Sequence, residues 1–255
     1  MLTSQVIYLK LKDGSPRNVK GNHIHGLFFD RILVSQAPEL AKLLHSPGTT
    51  KPFSLSFLYK EGHIYWFRIA SWIDEISEAV FSYFDHNFQV TLNNCLFELM
   101  RTSTDVEEFQ WARRTSVGEF IKNAKAMNRD TFWIEHYSET SFKCGNTHLP
   151  LPVPELIVNS IDRQLMPQIA KELSVDPEKI LELIHLKEYR IRSVYNRKNY
   201  GSIASFKGKT RWQIDKRASQ RERDAIRILF NFAFYSGIGV KTTQGMGMCR
   251  IIERP

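Results

Sequence analysis

An α+β protein of two tandem ferredoxin-like modules (βαββαβ, the RRM-like plan) is what this sequence predicts. Three observations predict it. Hydrophobic periodicity runs strand, helix, strand, strand, helix, strand between residues 6 and 102. A looser pass of the same order begins at residue 117. The length, 255 residues, suits two domains of roughly 100–200 residues each.

The elements follow in order. "VIYLKL" (6–11) reads as a strand. "NHIHGLFFDRILV" places Ile24, Leu27, Phe28 and Ile32 on one helical stripe, and "APELAKLLH" continues as a second helical piece. "FSLSFLY" and "HIYWFRIA" read as two strands joined by a hairpin-like turn at Lys60, Glu61 and Gly62. "DEISEAVFSYFDH" puts Ile76, Val80, Tyr83 and Phe84 on one helix face, and "FQVTLNNCLFELMRT" reads as the closing strand. The boundary falls near "EEFQWARRTS", which gives modules of 1–112 and 113–255.

The second module opens with a short helix, "VGEFIKNA", and a strand, "TFWIEHYS". "PELIVNSIDRQLMPQIAKEL" reads as one helix with a proline at its N-terminal edge. Two long strands follow, "IHLKEYRIRSVYN" and "SIASFKGKTRWQID". In "RDAIRILFNFAFYS" the apolar residues Ile226, Leu229, Phe230, Ala233 and Phe234 have helical spacing, and "MGMCRII" reads as the last strand.

Composition narrows the function. Hydrophobic residues make up 42% and aromatic ones 12%, enough for real cores and against disorder. The longest apolar run, Ile228 to Val240, is interrupted by Asn231 and Ser236 and is shorter than the ~20 residues a membrane span needs. The N-terminus has no long apolar core of a signal peptide. Cys95, Cys144 and Cys249 form neither a disulfide framework nor a zinc spacing. A cytoplasmic protein with no metal, no cofactor and no membrane partner is the expectation.

The net charge is +8, but its distribution matters more. Residues 186–250 carry 15 Lys+Arg against 4 Asp+Glu, which leaves 20 against 23 elsewhere. A basic C-terminal quarter suits a polyanion, nucleic acid above all. A solvated basic face is the competing reading.

Lys207, Lys209 and Arg211 alternate along one strand and so share a face. Arg190 and Arg192 repeat the pattern on the preceding strand, and Tyr195, Arg197, Lys198 and Tyr200 mix rings and charges at the hairpin tip. Cationic rows with interleaved aromatics suit an RNA backbone and its stacked bases. Any half-exposed strand also alternates in this way.

Three histidines lie near the first helix: His23, His25 and His45. On a helix, His23 and His25 stand about 200° apart, which disfavours joint chelation. A histidine in the first turn feels the positive end of the helix dipole, which keeps it neutral and fit for general-base work. A capping or boundary histidine is the alternative. Hydrolase motifs such as G-x-S-x-G and H-E-x-x-H are missing.

The C-terminal stretch "GIGVKTTQGMGMCR" pairs Gly237 with Gly239 and Gly245 with Gly247, with Lys241 between the pairs. The order is helix, glycine loop, strand, the reverse of a P-loop. The pattern resembles the C-terminal signature of the RAMP superfamily, and more narrowly that of the CRISPR-associated Cas-six endoribonucleases. "FAFYSGIGVKTTQGMGMCRI" carries the likeness most strongly. "HIHGLFFDRI", "APELAKLLH", "KPFSLSFLY" and "YSETSFKCGNTHLPLPVPELIVNSI" are similar to further family segments, in the same order.

The resemblance implies two tandem ferredoxin-like folds and metal-independent cleavage of precursor CRISPR RNA. A base removes the ribose 2′-OH proton, the oxygen attacks the adjacent phosphorus, and an acid protonates the leaving 5′-oxygen. The products are a 2′,3′-cyclic phosphate and a 5′-OH. The family's histidine lies in or near the first helix, a place that His25 matches first, His45 second and His23 third. Lys20 is the candidate cation, with Ser15 or Arg17 in support. The glycines imply a loop whose backbone approaches RNA, with Lys241 adding charge. A non-cleaving RNA-binding subunit of a CRISPR effector complex is the alternative, and a basic adaptor for a protein partner is a third reading. Effector-complex subunits and a second copy of the chain are further candidate partners.

Overall fold

The structure, a computed structural model, describes all residues except 47, 49, 174, 197–202, 254 and 255. It divides into two compact units. The first comprises Met1–Thr115 with Thr243–Gly245, and the second Ser116–Thr242 with Met246–Pro255.

In the first unit, β1 (Leu2–Asp13) leads through a 3-10 turn to α1 (Gly21–Gly26). The helix then widens into a π-helical segment, Leu27–Leu33, before α2 (Val34–Gln36) and α3 (Pro38–His45). The wider turn lets consecutive residues Leu27, Phe28 and Phe29 all face the interior. Such turns recur at functional sites.

Strands β2 (Phe53–Leu55), β3 (Tyr59–Glu61) and β4 (Ile64–Ser71) follow, then α4 (Asp74–His86), β5 (Gln89–Leu92), β6 (Cys95–Ser103) and β7 (Arg113–Thr115). The sheet runs β2-β4-β1-β6-β5, with β3 also on β4 and β7 also on β1. β1 pairs antiparallel with β4, β6 and β7, as a ferredoxin-like plan requires. Phe28, Phe53, Phe67 and Phe97 fill the core between the sheet and the helices. Burying each such ring stabilises the unit by roughly 1.5–3 kcal/mol.

Two local expectations are corrected here. Residues 88–102 are not one strand, because Asn93 adopts φ 54 and turns the chain back, so β5 and β6 form a hairpin. Asparagine tolerates the left-handed region that such a turn needs. Lys60 and Glu61 belong to β3 rather than to the turn, which is made at Gly62 with φ 59.

The second unit runs α5 (Val117–Lys125), β8 (Thr131–Thr140), β9 (Phe142–Cys144), β10 (Thr147–Leu149), α6 (Pro154–Asp162), α7 (Pro167–Leu173), α8 (Pro177–Leu183), β11 (Ile184–Asn196), β12 (Ile203–Ile214), α9 (Gln220–Ser236) and β13 (Cys249–Ile252). Its main sheet has the order β11-β12-β8-β13, again with antiparallel neighbours. The single helix expected over 154–173 is two, because Pro167 has no N–H to continue the ladder and constrains the residue before it. The last strand starts at Cys249 rather than at Met246. Helix α9 is opened by a reciprocal cap: the Ser219 N–H donates to Glu222 Oε2 at 2.7 Å, and Ser219 Oγ accepts from the Glu222 N–H at 3.4 Å. Eleven residues of α9, Ala225–Phe230 and Phe232–Ser236, are buried, so its C-terminal part is enclosed on nearly every side.

Strand β8 sorts its side chains by parity. Phe132, Ile134, His136, Ser138 and Thr140 are buried, while Glu135 and Tyr137 are half-buried on the other face. His136 is enclosed, and burial pushes its pKa down to about 3. Trp212 Nε1–H donates to Thr210 Oγ1 at 2.8 Å, so the Thr210 hydroxyl is free to donate to His136 Nε2 at 3.1 Å. The folded state therefore holds the neutral ring. With an unfolded pKa near 6.5, its contribution is complete above that pH and is lost as pH falls from about 6.5 toward 3. Chemical denaturation at pH 7 and pH 4.5 is expected to show a fall in stability of up to about 1.4 kcal/mol per pH unit from this group. His136→Gln should flatten that part of the pH dependence.

Candidate functional site

Two groups of side chains stand out, one in each unit. In the first, α1, the π-helical segment and α3 bring His25, Phe29 and His45 together. The Phe29 ring centroid lies 4.6 Å from that of His25 and 4.4 Å from that of His45. His25 Nδ1 is 2.9 Å from the Thr243 carbonyl oxygen. A carbonyl only accepts, so Nδ1 carries the proton and the neutral ring keeps its lone pair on Nε2. His45 Nδ1 is 3.0 Å from the Ala41 carbonyl, so this nitrogen likewise carries a proton, and the contact closes the last turn of α3.

Burial is the main influence on His25 and holds its pKa below the usual histidine value. The Thr243 hydrogen bond pulls in the opposite direction, and His45, Asp30 and Lys51 act on it through space. Lys51, which the sequence did not single out, is one of the charges that act on His25. It sits just before β2, in no periodic pattern, and burial lowers its own pKa.

The other expected residues lie differently. His23 caps α1: its Nδ1 accepts the Lys20 backbone N–H at 3.0 Å. Its pKa is lowered by burial first and by the Lys20 charge second. Lys20 is the residue preceding α1, and its charge acts on His23, whereas Lys51 is the lysine that acts on His25. Ser15 and Arg17 sit exposed around the preceding 3-10 turn. Among the described residues, no three of His, Cys, Asp and Glu gather closely enough to hold a metal ion.

Protein atoms pack closely against the glycine loop. Gly237, Gly239, Gly245 and Gly247 have φ of 72, 92, 100 and 74, all disfavoured for other residues. Protein atoms already occupy the space beside three of them. A Cβ on Gly239 would stand 2.3 Å from the Ser141 carbonyl, on Gly245 2.5 Å from the Phe57 ring, and on Gly247 2.2 Å from the Ile238 carbonyl. The N–H groups of Gly237, Gly239 and Gly247 donate to Ala233 O, Ser160 Oγ and Glu139 O. Those three N–H groups are committed inside the fold and are not available to phosphates. Lys241 is exposed, with φ 55.

In the second unit, β11 and β12 align Arg190 with Lys209 and Arg192 with Lys207. Like charges directly opposite one another destabilise a sheet. Glu188 offsets part of this: the Arg190 Nε–H donates to it at 2.8 Å, and Arg211 pairs with it at 3.4 Å. Among the described residues, Arg192, Lys207 and Lys209 have no carboxylate in ion-pair range.

Aromatic rings lie in the same rows. Arg190 and Arg211 stand 5.1 and 5.9 Å from the Trp133 ring centroid, and Lys207 stands 5.8 Å from that of Tyr137. Residues of β8, β11 and β12 line a groove of about 640 Å³ that includes Arg190, Arg192, Lys207 and Lys209. Tyr195 is exposed nearby in sequence, while Arg197, Lys198 and Tyr200 lie outside the described residues.

Residues 134–249 match the family model described as CRISPR-associated endoribonuclease Cas6. The CRISPR-associated endoribonuclease Cas6 of Streptococcus thermophilus is 22% identical over 208 residues, covering 80% of this chain and 82% of that relative. A solved Cas6 product complex is similar at a TM-score of 0.79 and 23% identity, over 99% of each chain. The structure of Thermus thermophilus Cas6 is similar at a TM-score of 0.72 and 24% identity, over 99% of this chain and 98% of that one. At these identities the structural likeness speaks for the fold. Among the described residues, no helix is long and apolar enough to cross a membrane.

Proposed function

We propose that this chain, a Cas6-type protein of the RAMP fold, is an endoribonuclease that binds CRISPR repeat RNA and cuts the precursor within each repeat. The observation that carries the reading is the pair of imidazoles on Phe29, each with Nδ1 tied to a backbone carbonyl. Both rings are thereby oriented and both keep Nε2 for proton transfer. The first module supplies the catalytic helix, and the second supplies the cationic sheet face that holds the RNA.

His25 is the general base. Burial keeps it neutral near pH 7, as a base must be. Its Nε2 takes the 2′-OH proton, and the 2′-oxygen attacks the adjacent phosphorus. The bond to the 5′-oxygen breaks, and that oxygen takes a proton from the His45 imidazolium. The ends are a 2′,3′-cyclic phosphate and a 5′-OH. Lys51 offers positive charge to the phosphorane-like transition state, an electrostatic contribution of the kind that often dominates catalysis. Every proton in this scheme moves through a side chain, so no step calls for a metal.

Arg190, Arg192, Lys207, Lys209 and Arg211 contact phosphates, and Lys241 adds charge. The test is single-turnover incubation with the neighbouring CRISPR repeat RNA in excess EDTA, with the product ends identified. Cleavage to a 2′,3′-cyclic phosphate is expected, and a 2′-deoxy sugar at the cut site should abolish it. Tight binding with no cleavage would sink the proposal in favour of a non-cleaving subunit.

A further inference from the structure

Three residues of the glycine-rich tail, Thr243–Gly245, belong to the first unit. Their place there is built step by step from its sheet. Ser56 is locked to β4: its N–H donates to the Arg68 carbonyl at 2.9 Å, and its Oγ accepts the Arg68 N–H at 2.7 Å. Gly245 forms a parallel bridge with Ser56. The Phe57 ring lies where a side chain on Gly245 would begin, and Gly245 holds φ 100. Two residues earlier in the chain, the Thr243 carbonyl meets His25 Nδ1.

We infer that Gly245 is a positioning residue for catalysis, seating the Thr243 carbonyl against His25 and so deciding which ring nitrogen carries the proton. The inference rests on the reading of His25 as the general base. A free neutral imidazole favours the proton on Nε2, which would leave no lone pair there for the 2′-OH. A carbonyl fixed at Nδ1 reverses that preference. His45 on α3, Asp30 in the π-helical segment and Lys51 ahead of β2 act on the ring through space, and none of them hydrogen-bonds to it among the described residues. The tautomer therefore depends on the Thr243 contact. The glycine is needed because Phe57 and the left-handed backbone leave no room for a side chain.

The test is nitrogen-15 NMR of the histidine rings in wild type, Gly245→Ala and Phe57→Ala, with cleavage rate and RNA affinity measured on the same samples. Wild-type His25 is expected in the Nδ1–H form. Gly245→Ala should move it toward Nε2–H and lower the cleavage rate about 10–100-fold, the usual range for losing an orienting partner, with RNA affinity unchanged. Phe57→Ala, which removes the ring and leaves the loop backbone unstrained, should shift the tautomer less and in the same direction. It carries the test if Gly245→Ala does not fold. An unchanged Nδ1–H form in the variants overturns the inference, and so does RNA affinity falling in step with the rate. If His25→Ala cleaves at the wild-type rate while Gly245→Ala still moves the tautomer, the base assignment fails and the seating role stands.

Discussion

His25→Ala and His45→Ala are each expected to slow single-turnover cleavage of repeat RNA by about 10²–10⁴-fold, the usual contribution of a positioned acid or base. RNA affinity should stay near wild type, because neither ring is among the proposed phosphate contacts. The double variant should lose little more than the slower single one, since groups that act as a unit are not additive. The pH dependence follows from the sign of the His25 shift. Burial lowers its pKa, so the base is deprotonated at pH 7, and on the acid side the rate falls as pH drops through a value below the ordinary 6.5. His23→Ala is the control. Its ring caps α1, so the variant should lose some stability and keep its cleavage chemistry. Wild-type rates in both His25→Ala and His45→Ala would remove the paired-imidazole mechanism.

The combined variant Arg192→Ala, Lys207→Ala and Lys209→Ala is expected to bind repeat RNA about 10²-fold more weakly near 0.1 M salt. Each phosphate contact to a single strand contributes roughly 0.7 to the slope of log K against log salt, so three lost contacts lower the slope by about 2. The fold should not suffer. Arg192 faces Lys207 and Arg190 faces Lys209 across the strands, and removing like-charge neighbours relieves repulsion. An RNA-affinity plot parallel to that of wild type would place the phosphate contacts elsewhere. Binding that hardly responds to salt in wild type itself would favour a protein partner for the basic face.

Much of the architecture is legible in the residues because helix and strand periodicities are local. Ile76, Val80 and Phe84 declare α4, and Ile226, Leu229, Phe230 and Ala233 declare α9, before any packing is known. The alternation of Lys207, Lys209 and Arg211 likewise forecasts one face of β12, and the register with β11 completes the cationic rows. Breaks are harder to read. The Asn93 turn lies between two stretches of strand-like alternation that run into one another, and Pro167 interrupts a helical pattern that otherwise carries on past it. In both places a backbone constraint at one or two residues overrides the side-chain pattern around it.

The candidate site divides along the same line. A histidine near the first helix is visible in the chain, as is a conspicuous run of glycines near its end. Lys51 is not, since a lysine outside any repeat has no pattern to mark it. The pairing of His25 with the Thr243 carbonyl spans 218 residues of chain. No sequence period reaches that far, so the contact exists only because the sheet holds Ser56, Ser56 holds Gly245, and Gly245 sets the carbonyl beside it. The glycines divide similarly. Their number marks an unusual backbone, while their purpose comes from what fills the space beside them: Ser141, Phe57 and Ile238 rather than open solvent. Local chemistry thus decides which elements form and which residues could react. Tertiary structure decides which nitrogen of a histidine holds its proton, because that proton follows a hydrogen bond between residues the chain keeps far apart.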